Sequence, residues 1–310
     1  MLKHLNFRVI AILSIFFIDT SFAKLELGVL DEYHDSLCDV LVNTSNSIDD
    51  YFIDDNSTKI RSKTYAKFST SIAVEDNQKL EKDIRLRLRL NLPKVQRNLR
   101  LIFEDDNYNN EFYDRTTLNS EKLKDKSYYL RLDYFKFIKK KFNLSLGVGL
   151  RVRQGNLVPY LNFHSRYDIF ENREFKSAFY NRLRYYSDGE IEDILEFNNR
   201  YIVDNSVYLI LGNKLSYSDR DSYQIAYHDL SLIKELSDKK ELGVGFGIRS
   251  SLVDFKNYSV EYYHIHTLYH HLFYKKWLYY QLAPSILWRE SNNFNISYRM
   301  MINLGIIFKK

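Results

Sequence analysis

The hydrophobic pattern of this chain has two periods. Over residues 27–41, Leu27, Leu30, Tyr33, Leu37, Val40 and Leu41 recur at helical spacing, with Asp31, Glu32, Asp35 and Asp39 between them. A second short apolar set, Ile48, Tyr51 and Phe52, follows Asn43-Thr44-Ser45-Asn46, which reads as a stop or kink. Two short amphipathic helices are therefore expected, the alternative being an acidic flexible tail. From Lys59 onward the period is two, and a strand turns successive side chains to opposite faces. Fourteen strands are expected, near residues 60–75, 82–92, 98–106, 127–139, 142–154, 158–170, 174–187, 190–203, 206–218, 222–236, 240–253, 259–273, 277–290 and 293–308. The last has the clearest pattern. Phe294, Ile296, Tyr298, Met300, Ile302, Leu304, Ile306 and Phe308 form an apolar face, and Asn295, Ser297, Arg299 and Asn303 lie opposite. Strands of soluble sheets are typically about half that length. One that crosses a bilayer obliquely needs about 9–11 residues.

The expected fold is thus all-β, a transmembrane antiparallel β-barrel of fourteen strands, or twelve if the first pair stays outside the membrane. An even count returns both ends to one side. The prolines constrain it further. Pro93 falls at a turn and Pro159 at a strand start, whereas Pro284 lies inside strand thirteen. A closed barrel has no free edge, so Pro284 requires a bulge or local break. Most connections are compact turns, and the one long polar loop runs from Asp105 to Lys126.

The ends of the chain divide it. Lys3 and Arg8, the apolar run Val9 to Ile18 and the small-x-small Ser21-Phe22-Ala23 make residues 1–23 a signal peptide. Residues 24–56 form the acidic helical segment, periplasmic or a plug, and residues 57–310 the barrel. Among the 310 residues, 26 are Tyr and 21 Phe, which suits aromatic girdles at both membrane interfaces. The single Cys38 excludes an internal disulfide and a cysteine-rich metal site.

Charge is split unevenly. Residues 24–56 hold one basic and nine acidic side chains, although the whole chain carries +5, so the barrel is basic. With Ile84, Leu86, Leu88, Leu90 and Leu92 toward lipid, Arg85, Arg87, Arg89 and Asn91 turn inward. The same rule turns Arg100, Arg131, Arg151, Arg153, Arg166, Arg182, Arg184, Arg200, Lys214, Arg249, Arg289 and Arg299 inward, because a cation in mid-membrane costs about 2–4 kcal/mol. The inward acids expected near strand middles are Glu104, Asp133, Asp168 and Glu196. An arginine-rich lumen concentrates anions, and guanidinium groups suit carboxylate or phosphate solutes. Such arginines also serve only to neutralise lumen acids or an inserted acidic plug, for which residues 24–56 are the obvious counter-charge.

Inward Gly147, Gly149, Gly243, Gly245 and Gly247 either make room for a bulky group or let the wall curve. His264, His266 and His270 share one strand face, on which neighbours two apart lie about 7 Å from each other. No partner ligand is evident, so ordinary lumen polarity is favoured and no metal or cofactor is expected. His164 and Ser165 are adjacent and face opposite ways, so they do not make the i, i+2 His–Ser pair of an outer-membrane phospholipase. No Gly-x-Ser-x-Gly elbow or phosphate loop occurs, and no enzymatic activity is expected.

The terminal strand resembles the closing strand of bacterial outer-membrane barrels, with Lys309 and Lys310 added after its last aromatic. Two stretches resemble a set of uncharacterised proteobacterial outer-membrane β-barrel proteins with an acidic helical lead-in. One is Asp31-Glu32-Tyr33-His34-Asp35 with Ile48-Asp49-Asp50-Tyr51-Phe52. The other is Arg85-Leu86-Arg87-Leu88-Arg89-Leu90-Asn91-Leu92-Pro93 with Leu99-Arg100-Leu101-Ile102-Phe103-Glu104-Asp105-Asp106. The resemblance implies an outer-membrane location, outer-membrane lipid around the barrel and the barrel-assembly machinery as a partner of the last strand. It implies no activity and no nucleic acid. The leading expectation is a porin-like channel favouring small anionic solutes, with residues 24–56 as its gate. Its solute-binding candidates are Arg85, Arg87, Arg89, Arg100, Arg131, Arg151, Arg153, Arg182, Arg184, Arg249 and Arg299. The alternatives are a plugged structural barrel that conducts nothing and a surface lipid-modifying enzyme.

Overall fold

The computed structural model describes residues 27–52, 64–92, 100–105, 127–139, 141–153, 155–219, 223–253 and 257–309. The expected signal peptide, Pro93 and residues 106–126 of the expected long loop lie outside these. Helix α1 (Leu27–Phe52) precedes strands β1 (Tyr65–Glu75), β2 (Glu81–Asn91), β3 (Arg100–Asp105), β4 (Ser127–Lys139), β5 (Phe142–Arg153), β6 (Asn156–Glu171) and β7 (Phe175–Tyr186). Next come β8 (Ile191–Asp204), β9 (Val207–Ser218), β10 (Tyr223–Ser237), β11 (Lys240–Val253), β12 (Asn257–Tyr274), β13 (Leu278–Arg289) and β14 (Ile296–Lys309).

These fourteen strands, counted among the described residues, form one closed antiparallel barrel in which β1 pairs with both β2 and β14. The first two strands are therefore part of the wall, and the twelve-strand alternative falls. The seam runs from Tyr65 opposite Lys309 to Glu75 opposite Arg299, so both strand ends reach the same rim. No helix among the described residues is long and apolar enough to cross a membrane. The strands do so instead.

Burial is inverted relative to a soluble protein. Outward residues such as Ile84 (59% exposed), Leu161, Leu183, Leu230 and Val244 are open, whereas inward Ser69, Asp229, Gln281 and Arg299 are buried. An apolar belt facing outward with a polar interior is stable only in lipid. Exposed Tyr128, Tyr185, Tyr258 and Tyr298 mark one edge of the belt, and Phe137, Tyr167, Tyr201 and Phe273 the other. Polar side chains on the belt bond to one another. Asn181 donates to Asp193 at 2.6 Å, and His228 lies 2.7 Å from the Asn213 side-chain oxygen. An unpaired polar group in hydrocarbon costs several kcal/mol.

Two expectations are corrected, and of the two alternatives for Pro284 one holds. The lead-in is one continuous helix of 26 residues, not two. The polar residues expected to stop it are held by the barrel, since Ser45 donates to the Asn91 carbonyl at 2.7 Å and accepts from Thr64 at 3.1 Å. The final strand begins at Ile296 rather than residue 293, because Glu290–Asn292 form a 3-10 turn. Asn293 and Phe294 then adopt φ of +49° and +56°, a left-handed conformation no strand accommodates. Pro284 causes no bulge. It stays in register opposite Met300, and the ladder to β12 omits the pairs between Ser285–His266 and Leu282–Tyr269. This is the local break that a missing N–H requires.

Helix α1 follows the rim at the end where the chain enters and leaves the barrel. Asp31 reaches Tyr274 and Lys275 at the β12–β13 turn, both at 2.7 Å. His34 contacts the Ile307 carbonyl at 2.9 Å and stacks on Trp277 and Phe308. Ser45 reaches β2. These contacts step along neighbouring strands in barrel order, so the axis runs tangentially. His34, Cys38 and Ser45 form the buried flank, while Leu30, Tyr33, Leu37 and Val40 remain exposed beside it.

The hydrogen bonds from Lys275 and Tyr274 hold the Asp31 carboxyl below its ordinary range, and Asp31 in turn raises Lys275. A carboxyl depressed by docking favours the docked state above its undocked pKa and loses that preference as pH falls through its docked value. Buried Cys38 reports this directly. Its reaction with 4,4′-dithiodipyridine is expected to be slow at neutral pH and to quicken below the usual aspartate range. Lys275→Gln should quicken it several-fold at neutral pH. Rates independent of both changes would show that the pair does not hold the helix.

Candidate functional site: the charged lumen wall

The alternation that sends Leu and Ile to lipid sends Arg85, Arg87, Arg89, Arg100, Arg131, Arg151, Arg153, Arg182, Arg184, Arg249 and Arg299 to the inner face, as the ladder registers require. They occupy different environments. At the β1–β14 seam, Arg299 is bound by Glu75 at 2.9 Å and Glu81 at 2.7 Å, and Glu75 also holds Arg289 at 2.6 Å. All three members of the Arg299–Glu75–Glu81 group are buried. Sequence counting passed over Glu75 and Glu81 because they sit beside a turn, yet pairing across strands brings both onto Arg299.

A second group lies at the same end of the barrel, across β4 to β8. Arg184, 1% exposed, stacks over the Tyr129 ring at 3.9 Å and pairs with Glu192 at 2.9 Å. Arg151 lies 3.8 Å over Tyr186 and pairs with Glu190 at 2.7 Å and Asp188 at 3.3 Å. Tyr129, Tyr160 and Tyr186 pack together between these guanidinium groups. Gly149 is what admits them, because a Cβ there would run into the Tyr160 ring. Beside this cluster, Arg151, Arg153, Asp188, Glu190 and Asp219 border a cleft of about 520 Å³.

The third group is more cationic. Arg100, Arg131, Arg182 and Asp133 all lie within electrostatic reach of His164, and Arg89 lies within reach of Arg100. Asp133 contacts Arg131 at 2.8 Å. Arg85 pairs with Asp83 at 2.6 Å, Arg87 lies near the Tyr65 ring, and Arg249 pairs with Glu261 at 2.5 Å. His164 faces this lumen sector while Ser165 faces outward, as adjacent strand positions must.

Across β10, β11 and β12 the wall carries a different chemistry. Asp229 on β10 and His264 and His266 on β12 offer ligand atoms within 4.8 Å of one another, and all three are buried. Gly245 and Gly247 of the intervening β11 are paired opposite His266 and His264, and a Cβ at either would overlap those rings. Tyr227 sits 2.9 Å from His264 Nε2, and Ser231 donates to Asp229 at 2.5 Å. The histidine pair was legible from its i, i+2 spacing. Its carboxylate partner was not, because only the barrel register brings β10 across to β12. His270, the third histidine of the face, packs instead on Tyr279.

The buried ion groups make a stability test. Arg299→Gln leaves Glu75 and Glu81 together without their shared cation, and breaking such a buried group costs about 3–5 kcal/mol. The variant should unfold from detergent at clearly lower denaturant than the parent. An unchanged midpoint would mean that water already compensates these acids.

No family model and no curated protein matches the chain. Among solved structures it is similar in fold to a bacterial polysaccharide outer membrane secretin, with TM-score 0.50 and 9% identity over 81% of this chain and 100% of that one. Pseudomonas putida OprB gives TM-score 0.46 and 12% identity over 78% and 92%. The outer membrane channel DcaP of Acinetobacter baumannii gives 0.44 and 7% over 80% and 96%. With its closed ladder and apolar belt, this chain has the fold of a bacterial outer-membrane β-barrel.

Proposed function

We propose that this barrel is a porin-like outer-membrane channel that favours small anionic solutes. The observation that carries the reading is the cationic sector of Arg89, Arg100, Arg131 and Arg182 around His164, where Asp133 is the carboxylate acting on both Arg100 and His164. A lumen wall of this charge raises local anion concentration and repels cations. Arg151, Arg153, Arg182 and Arg184 extend it toward the loop end, and Arg85 and Arg87 line β2. The rim position of α1 supports a gate at the mouth over a plug on the arginines. The closure of the barrel through β14 supports recognition of that strand by the assembly machinery.

A second reading, a structural barrel that conducts nothing, is favoured by the burial and close pairing of Arg184 and Arg299. Planar-bilayer recording separates the two. The chain from Lys24 should carry a steady current with anion preference, and removing residues 24–56 should leave that preference intact. Replacing Arg89, Arg100 and Arg131 with Gln should shift the reversal potential toward the non-selective value. Unchanged selectivity in that variant would sink the anion reading. Current only after the deletion would make the segment a plug, and silence from every form would establish the structural reading.

A further inference from the structure

We propose that Asp229, His264 and His266 form a binding site for a divalent transition-metal ion such as Zn²⁺, set within the barrel wall. The geometry is that of ligands around a common point. Asp229 Oδ2 lies 3.9 Å from His264 Nε2 and 3.7 Å from His266 Nε2. Those separations are too long for hydrogen bonds. They are longer than the roughly 3.3 Å between neighbouring ligand atoms of a tetrahedral ion with bonds near 2.0–2.1 Å, a difference that small side-chain rotations close. Oδ2 accepts no hydrogen bond of good geometry from the described residues, although Tyr227 stands beside the carboxylate. A carboxyl group this deeply buried is either protonated or matched by a positive partner, and a metal ion is such a partner. The arginines that act on His264 are Arg289 and Arg299, and both are engaged by Glu75.

The surroundings fit the same reading. Gly245 and Gly247 leave the space in which the two imidazoles lie. The ligand set is two imidazoles and one carboxylate, which suits zinc and its transition-metal neighbours and disfavours magnesium or calcium. Three protein ligands leave a fourth position for water or for the Tyr227 hydroxyl. An ion held there ties β10 to β12 across β11, a staple for the glycine-weakened part of the wall. This inference stands independently of conduction.

The test uses the chain from Lys24, free of any affinity tag, folded in detergent and stripped with EDTA. It is then equilibrated with Zn²⁺ or Co²⁺ and analysed for metal content and visible absorption. One equivalent of metal is expected, with the intense d–d bands of four- or five-coordinate cobalt. Asp229→Asn and His266→Gln should each weaken affinity at least tenfold, while His228→Gln, on the lipid-facing belt, should bind as the parent does. Folding of each variant is checked by its heat-dependent gel mobility. If either variant does not fold, the parent's cobalt spectrum decides. Weak octahedral bands, metal well below one equivalent, or binding indifferent to both substitutions would overturn the site.

Discussion

In the hydrocarbon of a bilayer no water is available for a stray N–H or C=O, so a sheet that spans it has to close on itself. The antiparallel seam between β1 and β14 is therefore the contact on which the rest of the molecule depends. It runs through the full length of β1 and brings the two ends of the barrel domain together at one rim. The same seam places Glu75 and Glu81 against Arg299, so charge neutralisation and barrel closure occur at one place. Helix α1 then runs along that rim, bonding to β2 on one side of the seam and stacking on Phe308 on the other.

Closure fixes which face meets lipid, and alternation does the rest. Each strand that sends leucines outward sends its polar set inward, where the space is limited. Guanidinium groups in that space survive by pairing with carboxylates or lying on tyrosine rings, as Arg184 and Arg151 do. Around His164, where Arg100, Arg131, Arg182 and Asp133 act on the ring, the wall has a cationic character. Glycines serve the same economy of space, with rings from neighbouring strands lying over Gly149, Gly245, Gly247 and Gly305. At Gly149, Gly245 and Gly247 the two readings thus resolve toward room for bulky groups, while no ring lies over Gly147 or Gly243.

The fold was legible because two-residue alternation over lengths that span a bilayer is a strong signal when repeated fourteen times. The inward direction of every candidate arginine followed from that alternation alone. Partners were harder to read. Glu75, Glu81, Glu190 and Glu192 lie near strand ends, where pattern says little about which side chain reaches inward. Asn43 to Asn46 looked like a helix break because such residues compete for backbone bonds in isolation. Ser45 spends its hydroxyl on the barrel instead.

The sequence by itself determined the strand count, most of the lipid-facing set and the basic interior, since each depends only on local period and composition; Leu90 and Leu92, expected toward lipid, are buried instead. Tertiary structure decided which charges meet. Residues 35 positions apart, Asp229 with His264 and Ser231 with His266, become neighbours only because β10, β11 and β12 pair in one register across a glycine-lined strand. Register is a property of the closed sheet, set by hydrogen bonds between strands, and no single strand contains it.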